Sequence, residues 1–263
     1  MKKTHLIILS LFLTSAIIIT ATVITYKALT VPKSKKYVVE TIEANSKGYI
    51  KVGIISDAQL PQEEKNLYGW DYATVMNGAD HLIKALKYYK SQNVDMIVFN
   101  GDMVNATGDY AAYSAYNKIL DYVYGEDRAE APHIIYPMGN HEFYGGNQEH
   151  NFYKSTGLPL NTRTIVNGYS FISISNSKLE KGDEELAESN DTLADGTYNE
   201  KRIEFLKEQL AAANTEDPNK PIFVFIHMPI SNIVNGGHWA TPQYEEIYSI
   251  LKEYPQAVVF TGH

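Results

Sequence analysis

Five short apolar runs in this 263-residue chain each lead into a group able to hold a metal ion. Asp57 follows VGIIS, Asp102 follows MIVFNG, Asn140-His141 follows HIIYPMG, His227 follows IFVFI and His263 follows AVVFTG. Taken singly, an Asp or His beside a strand is an ordinary cap or a satisfied polar group. As an ordered series they point to one site, because ligand crevices of open α/β sheets lie beyond the carboxyl ends of the strands. The densest signal is Gly139-Asn140-His141-Glu142, joined by Asp57-x-Gln59, Gly101-Asp102 and Gly262-His263. The chain has no cysteine, so any metal must be held by His, Asp, Glu, Asn or Gln.

The elements that must position these groups follow from periodicity. Strands are expected at Lys51–Ile55, Asp95–Phe99, His133–Tyr136, Tyr169–Ile174, Ile222–Ile226 and Ala257–Phe260. Val75, Met76, Ala79, Leu82, Ile83 and Leu86 recur at helical spacing, and Tyr113–Tyr124, Glu200–Ala213 and Tyr244–Lys252 are further expected helices. Alternation of the two kinds of element predicts an α/β layered domain over residues 49–263. The acidic stretch Glu180–Asp195 has no period and reads as a solvated loop.

Before that domain, residues 1–5 form a short tail carrying Lys2 and Lys3, and residues 6–26 are 21 residues without a charge. That length crosses a bilayer as a helix and exceeds the roughly 7–15 apolar residues of a secretory signal. A single-pass anchor in the cell membrane is expected, or a secreted protein if the segment is cleaved. Lysines flank both ends and leave the orientation open, but the very short tail favours an extracytoplasmic domain. Residues 27–48, polar and with Pro32, read as a linker. With 23 Lys+Arg against 31 Asp+Glu, a net charge of -8 and a pI near 5.5, no nucleic-acid duplex is an expected partner.

The ordered motifs resemble the calcineurin-like metallophosphoesterase family, whose pattern runs D-x-H, G-D, G-N-H-[DE], H, G-H-x-H. The resemblance spans about residues 50 to 263 and implies two mixed β-sheets packed as a sandwich between helices. It implies a phosphate-ester substrate, a phosphomonoester or phosphodiester, hydrolysed at two divalent ions of the Mn, Fe or Zn type. By position, Asp102 matches the bridging carboxylate, Asn140, His227 and His263 match the ligands of one ion, and Asp57 and Gln59 match those of the other. His141 matches the catalytic His that protonates the leaving group, with Glu142 orienting it. Two departures fall on the Asp57 ion: Gln59 stands where the commonest pattern has His, and the chain stops at His263 inside G-H-x-H, so a truncated chain is expected. The alternative is a non-catalytic phosphate- or nucleotide-binding protein that keeps one metal site. His150 and His238 lie in loops after motif strands where they could contact substrate, His238 the better placed, but each reads more simply as a surface residue; Trp70 and Tyr68 could line the cleft mouth or equally serve core or surface packing.

Overall fold

The computed structural model describes residues 33–45, 48–60, 72–105, 110–143, 148–176, 197–230, 241 and 243–263. Three strands, β2 (Val52–Ile55), β3 (Met96–Phe99) and β4 (His133–Ile135), form an all-parallel sheet in the order β2-β3-β4. Five others, β1 (Tyr37–Ile42), β5 (Asn161–Val166), β6 (Tyr169–Ser173), β7 (Ile222–Phe225) and β8 (Ala257–Phe260), form a mixed sheet in the order β1-β5-β6-β7-β8. Only the β5/β6 pair of that sheet is antiparallel. The helices are α1 (Lys33–Lys36), α2 (Tyr72–Ser91), α3 (Tyr110–Tyr124), α4 (Gln148–Thr156), α5 (Glu200–Glu216) and α6 (Tyr244–Leu251).

Period-two alternation explains how the layers stack. Met96 and Val98 of β3 point to a core shared with Phe171 and Phe225 of the other sheet. Their neighbours Ile97 and Phe99 point the opposite way, onto Leu82 and Leu86 of α2 and Tyr116 and Leu120 of α3. The second sheet does the same: Ile172, Ile222 and Val224 face Leu206 and Leu210 of α5 and Ile247 and Leu251 of α6. The result is helix, sheet, sheet, helix, a sandwich with three apolar interiors. Tight inter-sheet packing ends between the edge strands β2 and β8, where Val52, Ile54, Phe223 and Phe260 help line an open apolar cavity of about 1030 Å³. It shares no residue with the motifs.

All six expected strands are present to within two residues. The expected linker is a correction: α1 and β1 lie inside it, and β1 pairs in parallel with β5 along its whole length, Tyr37 opposite Asn161 and Ile42 opposite Val166. Tyr37 also packs at a tilt against Phe205 of α5, ring centroids 5.3 Å apart, so this stretch is part of the folded layer. β5 was not expected either; it forms a hairpin with β6 through Asn167 and Gly168, both at positive φ (52° and 77°), as a two-residue turn of this hand requires. Among the described residues no helix is long and apolar enough to cross a membrane, and the 6–26 segment lies outside them.

Candidate metal centre

The parallel order of β2, β3 and β4, and of β7 and β8, sends all five motif loops out of the same end of the sandwich. Beyond β2 and β3 the chain continues as a paired ribbon: Asp57 N donates to Gly101 O (3.1 Å), Gln59 N to Asp102 O (2.9 Å) and Leu60 N to Met103 O (2.8 Å). Within it the backbone turns left-handed at Asp57, Gln59 and Asp102 (φ 57°, 44° and 53°), and again at His263 (68°). Such conformations are tolerated by Asp and His, are unusual for Gln, and cluster where a site demands them.

The structure gathers Asp102, His227 and His263, with one ligand atom from each lying within 4.8 Å of the others. The two imidazoles meet edge to face at 5.3 Å, and Asp57 Oδ2 accepts from His263 N at 3.0 Å. Asn140 is buried beside them, its carbonyl accepting from Phe143 N (3.0 Å) to open the 3-10 turn His141–Phe143. Gln59 Nε2 lies 3.4 Å from His141 Nε2. His141 N donates to Asp102 Oδ1 at 2.8 Å.

The chemistry of the donors tests whether a cation belongs here. His227 Nδ1 lies 2.8 Å from Asn100 O, which can only accept, so the ring proton sits on Nδ1 and Nε2 presents a lone pair. That lone pair faces Asp102 Oδ2 at 3.0 Å, both atoms buried and neither in an aligned hydrogen bond. Two acceptors held at contact need positive charge between them, a metal ion or a proton. Without a metal a proton fills the place: burial pulls the His227 imidazolium down, yet the Asp102 carboxylate, with Asp57 behind it, lifts its pKa to about 9. Burial would raise Asp102, but His227 and His141 hold it below the usual carboxylate range. Burial and the His227 charge keep His263 below the usual imidazole range, in the neutral form that ligates. The space is kept by glycines. A Cβ on Gly139 would stand 2.2 Å from Asp102 Oδ1, and one on Gly262 would stand 2.8 Å from His227 Nδ1 and 2.9 Å from Asp57 Oδ2. The residues therefore fit a cation.

Where Glu142 was expected to orient His141, its carboxylate is engaged by backbone and Tyr136 donors. Fully buried, its carboxylate accepts from Asp102 N (2.9 Å), Met103 N (2.9 Å), Val104 N (3.4 Å), Gly139 N (2.7 Å) and Tyr136 Oη (2.7 Å). It thereby fastens the loop after β3 to the loop after β4. Burial, with the Asp102 charge nearby, raises its pKa. The partner of His141 Nδ1 is instead the carbonyl of Asn105, at 3.2 Å. Asn100 and Asn105 were missed by sequence reasoning; the signal was the pair of asparagines bracketing Gly101-Asp102 in Asn-Gly-Asp-x-x-Asn. His150, expected at the surface, is 6% exposed on α4, whose inward face is polar. His238, Trp70 and Tyr68 lie outside the described residues.

Compared with known proteins, residues 50–263 match the family described as calcineurin-like phosphoesterase. No curated protein matches the chain. Among solved structures it is similar to a dimetal phosphatase from Danio rerio, at 17% identity over 81% of each chain with a TM-score of 0.57. It is also similar to the protein TT1561 of Thermus thermophilus, at 12% identity over 81% of each chain with a TM-score of 0.47.

Proposed function

We propose, starting from the premise that this chain belongs to the calcineurin-like phosphoesterase family, that it hydrolyses a phosphomonoester or phosphodiester at a pair of divalent ions. The observation that carries the metal reading is the buried pair of facing acceptors, Asp102 Oδ2 and His227 Nε2. Asp102 would bridge the two ions, with Asn140, His227 and His263 on one and Asp57 and Gln59 on the other; the dimetal phosphatase of Danio rerio shares the fold. This oxygen and imidazole set suits Mn, Fe or Zn. The bound ions would supply Lewis-acid stabilisation of phosphoryl charge and a water nucleophile active near neutral pH.

The chain's own groups do the rest. His141, its Nδ1 proton engaged by Asn105 O, turns Nε2 toward Gln59 and Asp102, where a proton on that atom can pass to a leaving oxygen. Asp102 is held for its role through Oδ1 by His141 N and through its own N–H by Glu142.

The first test is metal content by plasma emission spectrometry beside hydrolysis of 4-nitrophenyl phosphate and bis(4-nitrophenyl) phosphate. About two ions per chain with turnover of either ester is the expected result. One ion and no turnover would favour a phosphate-binding protein. Asp102→Asn should lose most of the metal and most of the activity; a variant as active as the wild type would end the assignment. Residues 6–26 would anchor the domain as a single membrane span, on the strength of 21 uncharged residues, and the orientation to test places the site outside the cytoplasm. Protease added to intact cells should then remove the domain.

A further inference from the structure

The centre draws its ligands from both sheets: Asp102 from the parallel sheet, His227 and His263 from the mixed one. Something must hold the two sheet ends at a fixed separation: Ser175 Oγ accepts from Met138 N (2.8 Å) away from the ligands, and Asn100 lies across the gap at the ligands themselves. Asn100, 1% exposed, follows β3 and remains in its ladder, its N–H donating to Ile55 O at 2.8 Å. Its side-chain amide leaves the sheet altogether, donating to Ile226 O (3.3 Å) and Phe260 O (3.2 Å), the carbonyls at the ends of β7 and β8. Its backbone carbonyl accepts from His227 Nδ1 (2.8 Å). Three bonds from one residue thus reach the strand end that carries His227, the strand end that leads to His263, and the His227 ring itself. Two carbonyls converging on the amide require nitrogen there, so the orientation of the side chain is fixed by its partners.

We infer that Asn100 is a positioning residue of the metal centre: its side-chain amide sets the distance between the sheets, and its carbonyl sets the tautomer with which His227 meets the ion. The inference rests on the metal reading above. A group that orients a ligand typically changes metal affinity by about 10- to 100-fold when removed. A residue that merely satisfies carbonyls would change stability alone. Asn161 supplies the control, since it is equally buried and its amide makes the same kind of clasp, Nδ2 to Lys36 O (2.8 Å) and Oδ1 from Ser175 N (3.0 Å), with no bond to the centre.

The experiment is a titration of the metal-free chain with Co2+, read by the d–d absorption that reports coordination geometry. Asn100→Leu should bind about 10- to 100-fold more weakly with an altered band, and Asn161→Leu should keep wild-type affinity and spectrum. Asn100→Ser, which is smaller and retains one donor, carries the test if the leucine variant does not fold, with weakening in the same direction. Wild-type affinity in every Asn100 variant that folds would overturn the inference, as would equal weakening in Asn161→Leu. A wild-type chain that takes up no Co2+ would overturn the metal reading instead, so the two failures are distinct.

Discussion

His141 is gripped on one ring nitrogen and through its own backbone, with Nε2 left facing Gln59 and Asp102. An imidazole held this way can give up a proton without carrying a metal, and removing it should separate the two functions. His141→Ala should lower kcat by about 10²- to 10⁴-fold while metal content stays at the wild-type level. Equal loss of both, read by emission spectrometry beside kinetics, would make it a ligand. The convergence of Asp102, His227 and His263 was legible because a metal selects few side chains and because these residues close successive strands. What was not legible is how they are held. Asn105 acts through its carbonyl and Asn100 through a carbonyl and an amide, and every residue has a carbonyl. Glu142 looked like a partner for the neighbouring His because the two are adjacent in sequence. Its five donors come mainly from two loops, and no spacing rule reports that.

At the scale of elements, the loops after β3 and β4 approach so closely that Gly139 sits against Asp102 with no room for a side chain. Gly139→Ala should push the Asp102 carboxylate off its place, cost about 1–3 kcal/mol as overpacking does, and abolish most metal uptake. Thermal melting of the metal-free protein and metal content would both have to stay unchanged for this packing argument to fail. Strands were legible where a buried sheet makes a continuous apolar run, as in Met96–Phe99, and helices where one face is apolar, as in Leu82, Ile83 and Leu86. β5 escaped because Asn161, Thr162, Arg163 and Thr164 are polar yet buried, with Arg163 bonded to Ser170 and Glu216. The Asn167-Gly168 pair ahead of Tyr169 was the available cue. α4 escaped for the same reason, since Gln148, His150 and Asn151 face inward. Burial of polar groups depends on partners distant in sequence, so a pattern of hydrophobicity passes over it.

For the whole molecule, periodicity gives layers of α and β, but which strand joins which sheet depends on crossovers that it does not encode. The sandwich has two lateral margins. One is the open apolar cavity between β2 and β8. At the other, between the edge strands β1 and β4, Glu40 Oε1 stands 3.1 Å from His133 Nε2 and accepts from Thr164 Oγ1, also at 3.1 Å. The adjacent His133 imidazole holds Glu40 below the usual carboxylate range, against the opposing pull of partial burial. The sign of its effect on folding follows. A carboxylate whose folded pKa is depressed contributes stability that is fully present above its unfolded value of about 4.3, and that is lost as pH falls through the folded value. Glu149, depressed by Arg202 against its own burial, works in the same direction, so Glu40 owns part of the acid limb. Glu40→Gln should therefore flatten the fall of Tm below about pH 4.3 without removing it, and the difference from wild type should shrink in 1 M salt because both side chains of the pair are partly exposed. Tm measured from pH 3 to 7 in both proteins checks this. Superimposable curves would mean that this margin is held by backbone pairing and apolar contact alone.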